Sequence, residues 1–294
     1  MSGNGYALGL LGTFSFIKPN QRGKRINLYF QDMKARQMAR NYDVLHYFYG
    51  DNLRVGFEAT RKYKVVATVH MDIMQKNNPQ KFVKILNSLD AVIALSSNQK
   101  NILEQMGVAS VFIPHGFNKP VYKQTDTGIN KNKVNVVVSG SNYRDVKTLL
   151  YAIDYCDKER RDIQFHLLGQ PDSVKQALSD KSNVTCYPRL ADDMYFSVIA
   201  SCDYSFLPLT FATANNALLE VQFLGIQGIL PSISGIEDYA APAPSNLKYS
   251  SLNELLGIFN NITKKRPDVG LIDYAKKFQW SNIYSQLLDF YEQL

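Results

Sequence analysis

The sequence predicts an α/β protein of two consecutive domains, each a parallel β-sheet covered by helices. Three observations lead to this prediction. Short β-branched and aromatic runs alternate with longer amphipathic segments almost throughout the chain, as is typical of βαβ units. The 294 residues suffice for two domains of ordinary size. A polar segment without apolar periodicity, residues 123–133 (KQTDTGINKNK), divides the chain and is the predicted linker.

The first half of the sequence, residues 1–122, alternates strands with helices. Two amphipathic segments, 80–89 and 98–106, are predicted helices, and Gly107 ends the second of them. Runs rich in β-branched and aromatic residues separate these segments. We interpret the runs as strands of a first sheet, at residues 26–31, 43–49, 64–70, 90–96 and 110–115.

The second half repeats this pattern over residues 134–275, and the final segment, 276–294, is a predicted packing helix. Ligands of open α/β sheets bind beyond the carboxyl ends of the strands and often at domain interfaces. We therefore expect the working site in the cleft between the two domains. The strands of the second sheet are predicted at residues 134–139, 163–169, 184–187, 204–209 and 228–231.

The composition excludes several classes of protein. Hydrophobic residues make up 45% of the chain and charged residues 20%, unlike disordered, collagenous or low-complexity sequences. No apolar run is long enough to span a membrane. Basic residues near the N-terminus follow the apolar segment instead of preceding it, the reverse of a signal peptide. We therefore expect a cytoplasmic protein. Its three cysteines lack C-x-x-C spacing and indicate neither a disulfide framework nor a zinc site.

The net charge of +7 is unevenly distributed. Residues 1–122 contain 16 Lys and Arg against 7 Asp and Glu, whereas residues 123–294 contain 17 against 19. The first part therefore carries +9 and the second −2. This asymmetry favours an anionic partner for the first domain, such as a peripheral membrane surface or an anionic acceptor. A solvated basic surface is the alternative interpretation.

The segment 210–239 (TFATANNALLEVQFLGIQGILPSISGIEDY) is the most informative part of the sequence for a binding site. It follows a predicted strand and opens a helix at Asn215 or Asn216, both good N-cap residues. A helix N-terminus presents free backbone N–H groups and the positive end of the helix dipole, which suits a diphosphate. Glu220 lies one turn inside, where a carboxylate can accept hydrogen bonds from a ribose diol. The alternative is a capped helix with a solvated glutamate.

Polar residues follow other predicted strands as well. In the segment 138–144 (VSGSNYR), Gly140 permits close approach of a ligand to the backbone, and Arg144 offers a fork of donors for phosphate oxygens. His70 and His115 stand at the ends of strands in the first domain, at the rim where α/β sheets bind ligands.

Other candidates carry weaker signals. His46 and His166 lie within apolar strands, so we interpret them as core residues. Residues 2–6 (SGNGY) form a glycine-rich loop without the G-x-G-x-x-G spacing of a dinucleotide site. Asp192 and Asp193 place favourable charge at a predicted helix N-terminus. The sequence lacks a phosphate-binding P-loop, an H-E-x-x-H motif and a G-x-S-x-G motif. No nucleic-acid-binding motif accompanies its aromatic residues, so we predict no nucleic-acid partner.

Taken together, four segments resemble the retaining glycosyltransferases of family 4, which have the two-domain GT-B fold, and the resemblance covers most of the chain. One is a strand ending in serine, followed by a helix and an I-P-H-G turn. Another is the helix after the first strand of the second domain, and a third is a donor-site helix. The last is a closing helix that bears a tryptophan and crosses back toward the first domain. The segments are 90–118 (DAVIALSSNQKNILEQMGVASVFIPHGFN), 143–153 (YRDVKTLLYAI), 215–239 (NNALLEVQFLGIQGILPSISGIEDY) and 274–294 (YAKKFQWSNIYSQLLDFYEQL).

The resemblance implies two Rossmann-like domains facing a central cleft and a nucleotide-sugar donor, UDP- or GDP-linked, on the second domain. Glu220 matches the second glutamate of the family's Glu, seven residues, Glu motif, which implies contact with the ribose. Arg144 implies contact with the distal phosphate. His70 matches a histidine that the family places near the sugar and the acceptor. The other implied donor residues are Gly140, Ser141, Asn215, Asn216, Ala217 and Leu218, and the implied acceptor-side loop contains Gly3 and Gly5.

The implied activity is transfer of a sugar, with retention, to a glycan or lipid-linked acceptor in polysaccharide biosynthesis. No metal is implied, because the helix dipole and basic side chains stabilise the departing diphosphate.

Three features depart from the family's pattern. Ala212 stands eight positions before Glu220, where the family's first glutamate usually contacts the donor sugar. The arginine common on the loop after the first donor-domain strand has no clear counterpart near Gly140. The sequence starts at the glycine loop, so we expect the first domain to lack its leading strand. These departures favour an alternative, a non-catalytic scaffold that serves as a binding or partner subunit. A nucleotide-sugar epimerase of the same fold is a further alternative.

Overall fold

The structure, a computed structural model, describes residues 21–294 and contains two compact units. Unit 1 holds the described residues up to Ile113 together with Ser285–Leu294, and unit 2 is Pro114–Tyr284. No helix among the described residues is both long and apolar enough to cross a bilayer.

Unit 1 contains a four-stranded parallel sheet with helices from the intervening segments. The sheet order is β1-β2-β3-β4, so each strand pairs with the next along the chain. The core lies where buried Val, Ile, Leu and Ala of the central strands meet the apolar faces of the helices. The elements are α1 (Gln21–Ala39), β1 (Val44–Tyr47), β2 (Lys64–Val69), α2 (Pro79–Leu86), β3 (Ala91–Ala94), α3 (Ser97–Gln105) and β4 (Ser110–Phe112).

Unit 2 contains a six-stranded parallel sheet in the order β10-β9-β8-β5-β6-β7. Its first strand in sequence is central, and all of its residues are buried, as expected of a strand covered on both faces. Two apolar clusters pack on the sheet. The elements are β5 (Val134–Ser139), α4 (Val146–Glu159), β6 (Ile163–Leu168), α5 (Asp172–Ala177), β7 (Val184–Cys186), α6 (Asp192–Ala200), β8 (Tyr204–Phe206), α7 (Asn216–Phe223), β9 (Gln227–Pro231), β10 (Leu247–Tyr249), α8 (Leu252–Asn261), α9 (Val269–Ala275) and α10 (Trp280–Glu292).

The boundary between the units falls within α10, after Tyr284. In unit 2 the start of this helix is held against the segment that follows β4. The Phe117 N–H donates to the Phe278 carbonyl at 2.7 Å, and the Trp280 N–H donates to the Phe117 carbonyl at 3.3 Å. These bonds fix where the closing helix begins.

The predicted strand at residues 26–31 is wrong, because the segment lies within α1. Its Ile, Leu, Tyr and Phe favour strands only weakly outside a sheet. The residues on either side are mostly good helix formers such as Lys, Arg, Gln, Met and Ala, and helix propagates cooperatively through a short segment of lower propensity. The other four strands predicted for the first half and the five predicted for the second half are present, with shifted ends. The edge strand β10 has only three residues and was not predicted from the sequence.

The predicted linker 123–133 forms no helix or strand in the structure. Within unit 2 it runs along α6. The Lys123 N–H donates to the Asp193 carboxylate and the Thr125 N–H donates to Ser197 Oγ, each at 2.9 Å. The segment is therefore held by backbone hydrogen bonds to side chains of one helix.

Candidate functional site

The candidate site of unit 2 begins at the carboxyl ends of β5 and β6, where two glycines turn the chain. Gly140 and Gly169 have φ values of +70° and +68°, a region that glycine adopts without steric cost. The Gly140 N–H donates to the Leu168 carbonyl at 3.0 Å, and the Gln170 side chain donates to the Gly140 carbonyl at 2.7 Å. These bonds join the two loops into one rim of the sheet.

The loop after β5 is also fastened to the end of β8. Tyr143 has a φ of 55°, in the left-handed region that non-glycine residues rarely adopt. Its carbonyl accepts a hydrogen bond from the Thr210 N–H at 2.9 Å, and the Asp145 N–H donates to the Pro208 carbonyl at 2.7 Å. The segment that carries Arg144 is thereby brought beside the segment that leads into α7. Ser141 is exposed on the same loop.

Arg144 is a largely buried cation whose guanidinium is bonded to neutral groups. It donates to the carbonyls of Asn142, at 3.0 Å, and Ser139. None of the ion pairs among residues 21–294 includes Arg144. Burial lowers its pKa to about 10, and the nearby Tyr195 acts in the opposite direction. A positive charge partly removed from water without a carboxylate partner is well suited to an anionic ligand.

The start of α7 forms the second part of the site. Asn215 is the N-cap, and its side-chain oxygen accepts a hydrogen bond from the Leu218 N–H at 3.0 Å. This bond differs from the prediction that the Leu218 amide serves a phosphate, because that amide already has a partner in Asn215. Asn216, which is exposed, and Ala217, which is half-buried, occupy the first two helical positions, whose N–H groups precede the intrahelical hydrogen bonds.

Glu220, on the second turn of α7, accepts a hydrogen bond on Oε2 from the Tyr195 hydroxyl at 2.7 Å. Burial raises the pKa of Glu220, and the bond from Tyr195 opposes that rise. Burial and the neighbouring Glu220 carboxylate raise the pKa of Tyr195, while Arg144 lowers it. Arg144, Tyr195 and Glu220 are therefore one electrostatically connected cluster.

Tyr195 was not predicted as a site residue. It stands on α6, 25 residues before Glu220, in a helix that the sequence marks only as amphipathic. No motif links the two positions, since their contact arises from the packing of α6 and α7 in unit 2. A buried tyrosine hydroxyl usually has a hydrogen-bond partner, but the sequence does not indicate which one.

Ala212 is buried and is covered by the loop that contains Gly235. Gly235 has a φ of +90°, and a Cβ atom built there would overlap the Ala212 carbonyl. The position where the resembling family carries its first glutamate is therefore closed by backbone in this chain.

In unit 1, His70 directly follows β2 at the rim of the sheet. Its Nε2 lies 2.7 Å from the Phe48 carbonyl, which can only accept, so Nε2 carries the proton. The ring stacks on Tyr49 with centroids 4.8 Å apart. The Asp51 carboxylate accepts hydrogen bonds from the backbone N–H groups of His70 and Met71 at 2.8 and 3.0 Å. The rim of unit 1 around His70 is thus well ordered by local hydrogen bonds.

The other histidines are placed as predicted or close to it. His46 and His166 are core residues, 5% and 3% exposed, with both ring nitrogens bonded. The His115 N–H donates to the Tyr239 hydroxyl in unit 2 at 2.8 Å. The predicted acceptor-side glycines, Gly3 and Gly5, lie outside the described residues, as does the predicted absence of a leading strand.

Comparison with known proteins separates fold from sequence. No family model matches the chain, and no curated protein matches it. Three solved structures align with nearly all of it. HepE from Anabaena in complex with UDP and glucose has a TM-score of 0.74 and 18% identity, over 94% of this chain and 84% of its own. Sucrose-phosphate synthase from Thermosynechococcus elongatus has a TM-score of 0.74 and 16% identity, over 96% and 81%. The lipopolysaccharide outer core galactosyltransferase WaaB has a TM-score of 0.67 and 13% identity, over 93% and 80%.

At these identities the similarity establishes the fold. The chain has a Rossmann-like GT-B fold, which confirms the predicted fold class.

Proposed function

We propose that the chain is a glycosyltransferase that takes its sugar from a nucleotide-sugar donor bound on unit 2. The observation that carries the proposal is Arg144, a largely buried guanidinium bonded only to neutral carbonyls and fastened beside the segment that begins α7. A cation and a helix N-terminus in one place favour an anion such as a diphosphate. HepE, which shares the fold, has been solved with UDP and with UDP-glucose.

In this proposal Arg144 and the amides of Asn216 and Ala217 bind the diphosphate, with Gly140 and Ser141 forming the backbone wall beside it. Glu220 accepts hydrogen bonds from the ribose hydroxyls. Positive groups that are already in place stabilise the charge that develops on the leaving diphosphate, so the reaction needs no metal. We extend the proposal to a hexosyl or related sugar, to retention of configuration, and to a glycan or lipid-linked acceptor.

On unit 1, we propose that His70 faces the sugar. The Nε2 proton of its ring is engaged by the Phe48 carbonyl, so this nitrogen orients the ring and does not act as a base. Peripheral association with an anionic membrane surface through the basic first part of the chain, at the cytoplasmic face, belongs to the same proposal.

Calorimetric titration with UDP, GDP and their common sugar conjugates tests donor binding. We expect micromolar affinity for one nucleotide and a loss of roughly ten-fold or more in Arg144→Ala, since hydrogen bonds to charged groups are worth about 1.5–3 kcal/mol. Lys147→Ala removes an exposed positive charge three residues away and serves as the matched control. Equal affinities of wild type and Arg144→Ala would sink the phosphate role of Arg144.

A second candidate function, a non-catalytic scaffold, is favoured by Ala212 and by the backbone that closes this position. Slow hydrolysis of the bound donor separates the two candidates without knowledge of the acceptor. We expect NMR to detect release of the sugar with its donor configuration first, which also tests retention. Tight donor binding without any turnover would favour the scaffold instead. A changed sugar still attached to the nucleotide would indicate an epimerase.

A further inference from the structure

Tyr195 is a polar residue of unit 2 that the proposed donor contacts do not use. Its N–H continues the first turn of α6, donating to the Ala191 carbonyl at 2.9 Å, and its ring packs with the apolar cluster that contains Leu218 and Leu219 of α7. The ring also makes an edge-on contact with Phe196, with centroids 5.1 Å apart. These contacts hold the phenol in one orientation, with its hydroxyl on Glu220.

The hydrogen bond from Tyr195 divides the work of the Glu220 carboxylate. A phenol donates one proton, and here it goes to Oε2. An ionised carboxylate has about four acceptor positions on its two oxygens. Oε1 therefore retains acceptor positions for a ligand, while the bond to Oε2 fixes the plane of the group. Two neighbouring hydroxyl groups can be recognised by a carboxylate only when that plane is held.

The charges around the pair keep the two groups in the required protonation states. Burial favours a protonated Glu220, and the hydrogen bond from Tyr195 favours the anion. The nearby Glu220 carboxylate and burial keep Tyr195 protonated, so it remains a donor at neutral pH, and Arg144 is the cation that faces it. Among the described residues, Tyr195 is the titratable group that faces Glu220.

We propose that Tyr195 is a positioning residue that holds Glu220 for a cis-diol, so that the site selects ribonucleotides over 2′-deoxyribonucleotides. The inference rests on the proposed function, in which Glu220 contacts the ribose. It adds a determinant of donor selectivity that lies on a different helix from the carboxylate it orients.

The test compares the affinities of wild type and Tyr195→Phe for a nucleoside diphosphate and its 2′-deoxy analogue at one pH, using whichever of UDP and GDP the chain binds. We expect the variant to lose about ten-fold in affinity for the ribonucleotide, as for loss of a hydrogen bond to a charged group, and little for the deoxy analogue, which has no diol to orient. The ratio of the two affinities therefore falls.

Tyr187→Phe is the matched control, because it removes a phenol hydroxyl bonded to His166 elsewhere in unit 2. We expect it to leave the ratio as in wild type. A Tyr195→Phe variant that weakens both ligands equally, or neither, would overturn the inference while the proposed function stands. A wild-type chain that binds both nucleotides equally would also overturn it. Failure of wild type to bind any nucleotide would overturn the proposed function and the inference together.

A second readout follows the protonation of Glu220 with a nucleotide sugar, whose diphosphate does not titrate in the range of interest. Without the Tyr195 hydroxyl the Glu220 anion loses its stabilising donor. We expect the acid limb of the binding profile to move to higher pH in Tyr195→Phe and to stay in place in Tyr187→Phe. An unmoved limb in Tyr195→Phe counts against the inference.

Discussion

The imidazole Nδ1 of His46 lies 2.5 Å from the hydroxyl of Tyr291, so a strand of unit 1 is bonded to the last turns of the closing helix. The other ring nitrogen lies 2.8 Å from the Thr68 hydroxyl on the neighbouring strand. With both nitrogens engaged in the core, the ring is favoured in its neutral form. Burial, with the nearby His70, lowers the pKa of His46 to about 3.

The stability of unit 1 should therefore decrease as the solution is acidified. The unfolded chain binds a proton on His46 near the ordinary pKa of about 6.5, and the folded chain does not until about pH 3. Because the unfolded state binds more protons in this window, we expect His46 to lower the free energy of unfolding by about 1 kcal/mol between pH 7 and pH 5.5. Chemical denaturation at the two pH values measures it. His46→Gln should show a smaller pH slope, and an identical slope would contradict the prediction.

The N-cap of α7 should contribute to both stability and binding. Asn215→Ala removes the acceptor of the Leu218 N–H, and loss of such a cap costs about 1 kcal/mol. We expect the variant to have a lower midpoint of denaturation and weaker nucleotide binding, because the helix start frays. Asn216→Ala changes an exposed residue at the next position and should keep the wild-type midpoint. Equal midpoints for the two variants would argue against the cap.

Gly116 should tolerate no side chain, because a Cβ atom built there overlaps the Trp280 indole. We expect Gly116→Ala to destabilise unit 2 by about 1–3 kcal/mol, the usual cost of overpacking. Removing the obstruction should recover part of the loss. In a double-mutant cycle, Gly116→Ala with Trp280→Leu should therefore be less destabilised than the sum of the single variants. Strict additivity would mean that the two residues are not in contact.

Binding of a nucleotide sugar should weaken on acidification because Glu220 must be ionised to accept from two hydroxyl groups. Burial raises the pKa of this carboxyl, so the loss should begin at a higher pH than for an exposed glutamate. Glu220→Gln should bind more weakly at neutral pH and show a flatter profile. Calorimetry across the pH range measures both effects. A Glu220→Gln variant with the full acid dependence of wild type would remove Glu220 from the ligand contact.

Sequence patterns located most of the strands because apolar runs in a parallel sheet are buried on both faces and stand out against their polar neighbours. The runs that become β2 and β5 are examples, with nearly every residue buried. The segment 26–31 shows the limit of such patterns. Its composition favours a strand, yet the helix formers on either side extend α1 through it.

The candidate site divides in the same way. The N-cap Asn215, the left-handed Gly140 and the rim position of Arg144 follow from local rules that a sequence carries, since caps, turns and strand ends depend on nearby residues. The occupied Leu218 amide does not, because the sequence leaves open which backbone N–H the cap will bond.

The sequence alone determined the α/β class, the order of the elements and the residues that stand at strand ends and helix starts. Only the tertiary structure decided that Tyr195 donates to Glu220, that Arg144 has neutral partners and that the Gly235 loop closes over Ala212. The reason is physical. Local conformation depends on residues a few positions apart, whereas the burial, charge and hydrogen bonds of these side chains depend on helices and loops that meet only when the sheet of unit 2 has formed.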